Sequence, residues 1–348
     1  MANNIFDLIT AKEIATYWDE TGSNKSPYLG ESLFPPKKQI GIDLSWFRGT
    51  KGLPVMLKTS SFDAKVPFRD RIGVKKIETE LPFFREGMYI KEKDRQELQR
   101  VLATGNQALI DITLGNIFKD EVELIAGAKV ARERMIMQLL QTFKISITDG
   151  HTPLDYDYKG DSDHDDTLTS TKRWSQTATA DPVGDIRGWQ DTIEDDTGVR
   201  PTRAICSRKT FNYIGKTASV IAAFNTTDRL VNEKNVRAYL YEELGITIAI
   251  YNKKYSLSGT ATQYFADDIF TLLPPTTLGN VYFGTTPEEA DLQSTPGASV
   301  SIVDTGVAVT TLRKADIPVN VETVVSQLCL PSFELIDQVF IATVHGNS

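Results

Sequence analysis

The residues best spaced for chemistry lie between Asp155 and Asp166. Asp155, Asp157, Gly160, Asp161, Asp163 and Asp166 occupy positions 1, 3, 6, 7, 9 and 12 of an EF-hand calcium loop. Such a loop needs alternate oxygens around a hard cation and a glycine at its sharp turn. Two departures weaken the match. Lys159 stands where an oxygen ligand belongs, and Asp166 is shorter than the usual closing glutamate. The first half also alternates as a strand, with Leu154, Tyr156 and Tyr158 on one face and the aspartates on the other. A solvated acidic face is the expectation, and no metal is assigned.

Other chemistry finds less support. The three histidines, His151, His164 and His345, lie outside any HExxH or triad context. GxSxG, GxGxxG and GxxxxGK[ST] are absent, so neither an esterase elbow nor a nucleotide loop is indicated. Cys206 and Cys329 sit far apart in apolar settings without a CxxC partner. They read as two buried thiols in a reducing compartment. Trp46, Trp174 and Trp189 could stack on a base or sugar, but isolated tryptophans more commonly anchor cores and interfaces. No catalytic residue and no cofactor is assigned.

Composition bounds the rest. The chain has 348 residues, 41% hydrophobic and 24% charged, with a net charge of −8. Single cores stop growing near about 250–300 residues, so two or more domains are expected. An acidic chain grips phosphates only through a local basic patch. Lys37-Lys38, Lys75-Lys76 and Lys253-Lys254 are pairs, not patches. No secretory leader or apolar run of membrane-spanning length is evident, and no membrane partner is expected.

The elements that would position these residues centre on Asn116–Phe143. Phe118, Val122, Ile125, Ala128, Ala131, Met135, Leu139 and Phe143 fall at steps of three and four on one helical stripe. Asn116 is expected to cap it, with Asp120 and Glu121 near its positive end. At 1.5 Å per residue it runs roughly 40 Å, a spine for other parts. Its charged residues Lys129, Arg132 and Glu133 are expected on an exposed face.

The first forty residues read as an arm: a helix AKEIATYW capped by Thr10, then breakers and Pro35-Pro36. Such an arm either frays or packs on another subunit. Ile40, Ile42 and Leu44 alternate as a strand. Leu53–Pro82 reads as a long two-stranded excursion turning at Arg69-Asp70-Arg71-Ile72-Gly73. A charged helix over Lys91–Leu102 ends at Gly105. Lys144–Thr148 and Leu154–Tyr158 form a hairpin. Beyond Trp174, helices at Asp181–Thr197, Ser207–Ala218 and Thr227–Leu244 alternate with strands at Arg203–Cys206, Ile246–Tyr251 and Ile269–Leu273. Val319–Leu328 and Ile336–Val344 are strand-like.

This order resembles that of the lambda-type phage major capsid protein family (capsid protein E), with an HK97-like fold. The carriers are ETELPFFREGMYIKEKDRQEL, RERMIMQLLQTFKISITDG, WSQTATADPVGDIRGWQDTI, GVRPTRAICSRKTFNYI and the closing CLPSFELIDQVFIATV. Together they span nearly the whole chain. The resemblance implies an α+β fold with four parts. These are an N-terminal arm (1–40), an extended loop or E-loop region (41–90), a P-domain with the spine helix (91–171 plus 304–348) and an A-domain (172–303). It implies a structural subunit of an icosahedral tailed-phage or prophage head, not an enzyme. Its partners would be copies of itself in pentamers and hexamers, a separate scaffolding protein, a portal protein, packaged DNA bound without sequence reading, and in some cases a decoration protein. Its place would be the virion, after assembly in the bacterial cytoplasm. The intersubunit contact candidates are Phe62, Arg69, Asp70, Arg71, Gly73 and Lys75, with Trp18 and Trp46. The alternatives are an encapsulin-like cargo shell of the same fold and, on the acidic loop alone, a metal-binding soluble enzyme.

Overall fold

The structure is a computed structural model, which describes residues 8–21, 27–48, 75–148, 153–226, 230–292, 295–314 and 319–346. The chain divides into two compact units. One comprises Met1–Leu44, Glu78–Arg134 and Asn280–Ser332, and the other Ser45–Ile77, Met135–Gly279 and Phe333–Ser348.

The first unit is a sheet with the arm helix and the long helix on one face and the short helix Pro287–Asp291 on the other. Its long strand Asn320–Pro331 pairs antiparallel with Val307–Lys314, which pairs in turn with Ala298–Val303. Phe83–Tyr89 pairs antiparallel with Glu322–Leu328, and Val281–Phe283 with Cys329–Pro331. Pro36–Lys38 closes the order, parallel to Val281–Phe283. Alternation along the long strand turns Val321 and Val325 into a core with Ile117, Phe118, Val122, Ile125 and Ala128 of the long helix.

The arm helix Ala11–Thr21 joins this core, contrary to the expected frayed or exchanged arm. The reason is its own spacing. Ala11, Ile14, Ala15 and Trp18 recur at intervals of three, one and three and make one apolar face, all buried. The Ala11 amide donates to Thr311 Oγ1 at 3.2 Å. Thr10 accepts from the Glu13 amide at 3.3 Å, the cap its position implied.

The long helix spans Gln107–Thr142 and starts nine residues before Asn116, the expected start. Asn106, not Asn116, supplies the cap: its Oδ1 accepts from the Ala108 and Leu109 amides at 3.1 and 3.4 Å. Gly115 does not stop it, since a helical glycine costs only about 1 kcal/mol against alanine and Ile110 is already buried. Glu121 therefore lies in mid-helix and gains nothing from the helix's positive end.

The charged helix Glu92–Thr104 ends at Gly105, whose φ is 64°. Asp43–Arg48 pairs with Lys75–Glu80. The first of these strands starts later than the Ile40, Ile42, Leu44 alternation implied. Gly41 turns the chain at φ 91° and leaves Ile40 97% exposed.

The second unit holds a five-stranded sheet in the order Asp165–Thr167, Phe340–Thr343, Ile269–Leu273, Arg203–Cys206, Thr247–Ile250. The two outer pairs are parallel and the two inner pairs antiparallel. Helices Pro182–Thr197 and Glu233–Leu244 pack on it and end at Gly198 and Gly245, both in the left-handed region. The expected helix over Ser207–Ala218 is two, Arg208–Ile214 and Ala218–Thr226. Four rings fill the centre: Trp174 and Trp189 stack at 5.9 Å, Trp189 and Phe340 at 5.4 Å, and Phe270 meets Trp174 edge-on at 5.1 Å. Of the closing strand-like runs, Asn320–Pro331 belongs to the first unit and Phe340–Thr343 to the second.

Candidate functional site

The acidic segment folds as the hairpin its alternation predicted. Lys144–Ile147 pairs with Leu154–Asp157, placing Lys144 opposite Asp157. Three of its carboxylates, those of Asp157, Asp161 and Asp166, are engaged by the chain itself, each in a different direction. Asp157 Oδ1 accepts from the Lys159 amide at 2.8 Å, and Lys144 Nζ lies 3.1 Å from Oδ2. The amide and then the ammonium hold its carboxyl below the usual range. Asp161 caps a short turn by accepting from the Asp163 amide at 3.0 Å. Asp166 accepts from the Trp189 indole at 3.1 Å. Gly160 serves packing: a Cβ there would lie 2.2 Å from the Phe143 ring. Among the described residues no cluster of three or more His, Cys, Asp or Glu is arranged to hold a metal ion.

His164 is fully buried, with Nε2 3.0 Å from Asp196 Oδ2. His345 packs edge-on against Tyr213 at 5.1 Å, with Nε2 3.2 Å from Thr210 Oγ1, and burial lowers its pKa. Both thiols are buried, and burial pushes each up to about 12. His151 lies outside the described residues.

The contact candidates divide. Phe62, Arg69, Asp70, Arg71 and Gly73 lie outside the described residues, as does the side chain of Lys75, which heads Lys75–Glu80. Trp18 is 2% exposed, with Lys129 Nζ 5.0 Å from its ring centre. Trp46 is 5% exposed, its ring 5.5 Å from that of Tyr158. The chain itself covers both indoles.

The charged residues Lys129, Arg132 and Glu133 of the long helix do not form an exposed face. Arg132 and Glu133 are buried, and the Glu133 carboxylate accepts from the Gly30 amide at 3.1 Å. Asp304 faces both cations, 3.3 Å from Lys129 Nζ and 3.5 Å from Arg132. The Arg132 guanidinium lies over the Phe283 ring at 5.2 Å. The signal was in the spacing. Extending Phe118, Val122 and Ile125 by further steps of three and four lands on Lys129 and Arg132, inside the stripe. An exposed line runs instead through Ile112, Asn116, Lys119, Glu123 and Gly127.

Glu121 and Gln327 are among the buried polar side chains whose burial the sequence pattern does not announce. Glu121 is 2% exposed and accepts from Thr323 Oγ1 at 2.9 Å, while its other oxygen finds no partner. Burial pushes its carboxyl up to about 7. Gln327 is also buried. Across the sheet's opposite face, Glu288 receives Arg85 at 3.4 Å and the Ser326 hydroxyl at 2.9 Å. That face carries a groove of about 470 Å³ lined in part by Arg85, Tyr89, Glu322 and Val324. These features are a packed scaffold with open sheet surfaces, and the described residues assemble no catalytic constellation.

Comparison with known proteins agrees with that arrangement. The model of the phage major capsid protein E family matches residues 10–344, and the chain belongs to this family. No curated protein matches. Two solved structures share the fold over nearly their whole length. One is assigned as the capsid protein of a prophage of E. coli CFT073: 12% identity, TM-score 0.61, covering 97% of this chain and 99% of that one. The other is a phage-related protein from Bordetella bronchiseptica RB50: 13% identity, TM-score 0.55, covering 98% and 99%. The fold is α+β and HK97-like. The protein is a structural subunit of a phage head shell, and its place is the capsid of the virion. Family and fold point to a structural protein, and copies of the chain are its partners in an oligomeric shell.

Proposed function

We propose that copies of this chain form the pentamers and hexamers of an icosahedral tailed-phage head. They assemble in the bacterial cytoplasm on a separate scaffolding protein, join a portal, and enclose double-stranded DNA without reading its sequence. The family match over residues 10–344 carries this reading. The net charge of −8 supports it, since an acidic wall leaves packaged DNA free to move. In this reading 1–40 is the arm, 41–90 the overlapping loop, 91–171 with 304–348 the P-domain, and 172–303 the A-domain. The protein carries no catalytic step of its own.

Co-expression with the scaffolding protein is expected to give closed shells in negative-stain images. A subunit that stays monomeric with scaffold present, across assembly buffers, overturns the reading. Within it, Phe62, Arg69, Asp70, Arg71, Gly73 and Lys75 are proposed to touch a neighbouring copy, with Trp18 and Trp46 anchoring the segments beside them. Reversing both loop charges, Arg69→Glu with Arg71→Glu, is expected to abolish shells while the far-UV circular dichroism stays that of wild type. Unchanged shells would remove the loop tip from the contact.

A further inference from the structure

A cleft of about 150 Å³ opens in the first unit where the edge strand Phe83–Tyr89 and the long strand Asn320–Pro331 meet the long helix. Phe84 and Glu86 line it from one strand and Val325 and Gln327 from the other, with Gly127 and Ala131 on the helix. The register explains the set. Phe84 lies opposite Gln327 and Glu86 opposite Val325, so these four share one face of the sheet. Arg85 and Ser326, the intervening pair, face the other way and are taken by Glu288. On the helix side the wall is low. A Cβ built at Gly127 meets nothing within 4 Å.

With the Arg85 and Ser326 side chains taken by Glu288, the polar atoms left unused along this cleft are acceptors. Gln327 is 1% exposed, and its Nε2 donates to the Ala128 carbonyl at 2.9 Å. That bond fixes the amide's orientation, because only its NH₂ end can bond a carbonyl. Oε1 is left buried without a donor. An orphaned buried acceptor of this kind is costly unless something supplies the hydrogen. Glu86 is exposed on the same face, and no cation or donor among the described residues pairs with it. A buried carbonyl oxygen and a free carboxylate on one aliphatic-walled cleft call for a cation on an apolar stem.

We infer that this cleft receives a lysine side chain from a second copy of the chain, its stem along Gly127, Ala131 and Val325 and its ammonium between the Gln327 carbonyl and the Glu86 carboxylate. Lysine fits better than arginine. Its ammonium has three donors for these acceptors and water, whereas a guanidinium brings five donors in a planar fork. A second copy fits because copies of this chain are the shell's own partners. The inference rests on the reading as a shell subunit, and it adds a defined site to the contact.

The test starts from shells seen by negative stain, assembled from equal parts ¹⁵N-labelled and unlabelled subunits. A zero-length carbodiimide then couples carboxylates to amines in contact, and peptides are identified by mass spectrometry. The expected product joins a Glu86 peptide to a lysine peptide, with about half of the pairs mixed in isotope. With shells present, Glu86 joined only within one isotope, joined to a lysine of another protein, or never joined overturns the cleft assignment and leaves the shell reading standing. Absence of shells from wild type would instead strike the shell reading. A second arm fills the cleft. Gly127→Leu, at an exposed helical position, is expected to raise the subunit concentration needed for assembly at least tenfold while melting no lower than wild type. Gly127→Ala, too short to fill it, is expected to assemble like wild type. Assembly of the leucine variant at the wild-type concentration also overturns the assignment.

Discussion

Glu121 is a carboxyl held where it prefers to be neutral. In the unfolded chain it titrates near 4.5, and in the folded subunit burial raises this to about 7. Below pH 4.5 both states hold the proton and the packing against Thr323 is intact. Between 4.5 and 7 the unfolded chain ionises first, and the native state loses roughly 3 kcal/mol of relative stability. Above 7 the loss is complete. Glu121→Gln keeps the shape and the acceptor for Thr323 but cannot ionise. Its urea midpoint is expected to stay flat from pH 5 to 8 where that of wild type falls. Equal falls in both would place the pH dependence elsewhere. The thiols make a companion case. Buried and raised to about 12, Cys206 and Cys329 are expected to resist a thiol reagent at pH 8 in the native subunit and to react fully in denaturant. Rapid native labelling would show that burial does not protect them. At this scale the sequence was uneven. Cysteines in apolar runs announce burial, but Glu121 looks like an ordinary acidic residue of a first turn, because only the true helix start reveals that it is internal.

The long helix was the most legible element, and its errors are instructive. Its stripe reported the inner face from Phe118 onward. Its start was hidden because Gly115-Asn116 imitates a boundary while Asn106 does the capping. Charge alone points Lys129, Arg132 and Glu133 outward, whereas position on the helix decides otherwise. Asp304, far along the chain, is what lets two cations sit there. Glycines in and after this helix give opposite predictions. Gly127 meets open space, so Gly127→Ala is expected to raise stability by about 0.5–1 kcal/mol, read as a higher melting temperature. Gly160 abuts the Phe143 ring, which lies 6.2 Å from that of Phe333 on a backbone at φ 54°. Gly160→Ala is expected to cost about 1–3 kcal/mol through overpacking. A neutral result there would mean that the Phe143 ring can step aside.

For the whole molecule, the order of elements was readable because periods of two and of three to four alternate cleanly along the chain. The arm's destination was not, since an apolar face of four residues does not say which core it joins. The structure seats Ile9, Ala11, Ile14, Ala15 and Trp18 in the subunit's own first unit. Removing residues 1–21 would uncover this face at roughly 5 kcal/mol, a large share of an ordinary domain's stability. The truncated subunit is expected to melt earlier and to bind a hydrophobic dye. Were it to melt like the full chain and only fail to assemble, the arm would belong on a neighbour instead. The same seat has a consequence for synthesis. The Ala11 amide meets Thr311, 300 residues later, and among the described residues Phe83–Tyr89 finds its strand partner at Glu322–Leu328. At about 5–20 residues per second, a ribosome needs roughly 15–60 s between making the arm and making its seat. The nascent chain therefore leaves the ribosome with its first unit still open, and the fold closes only once translation is nearly over.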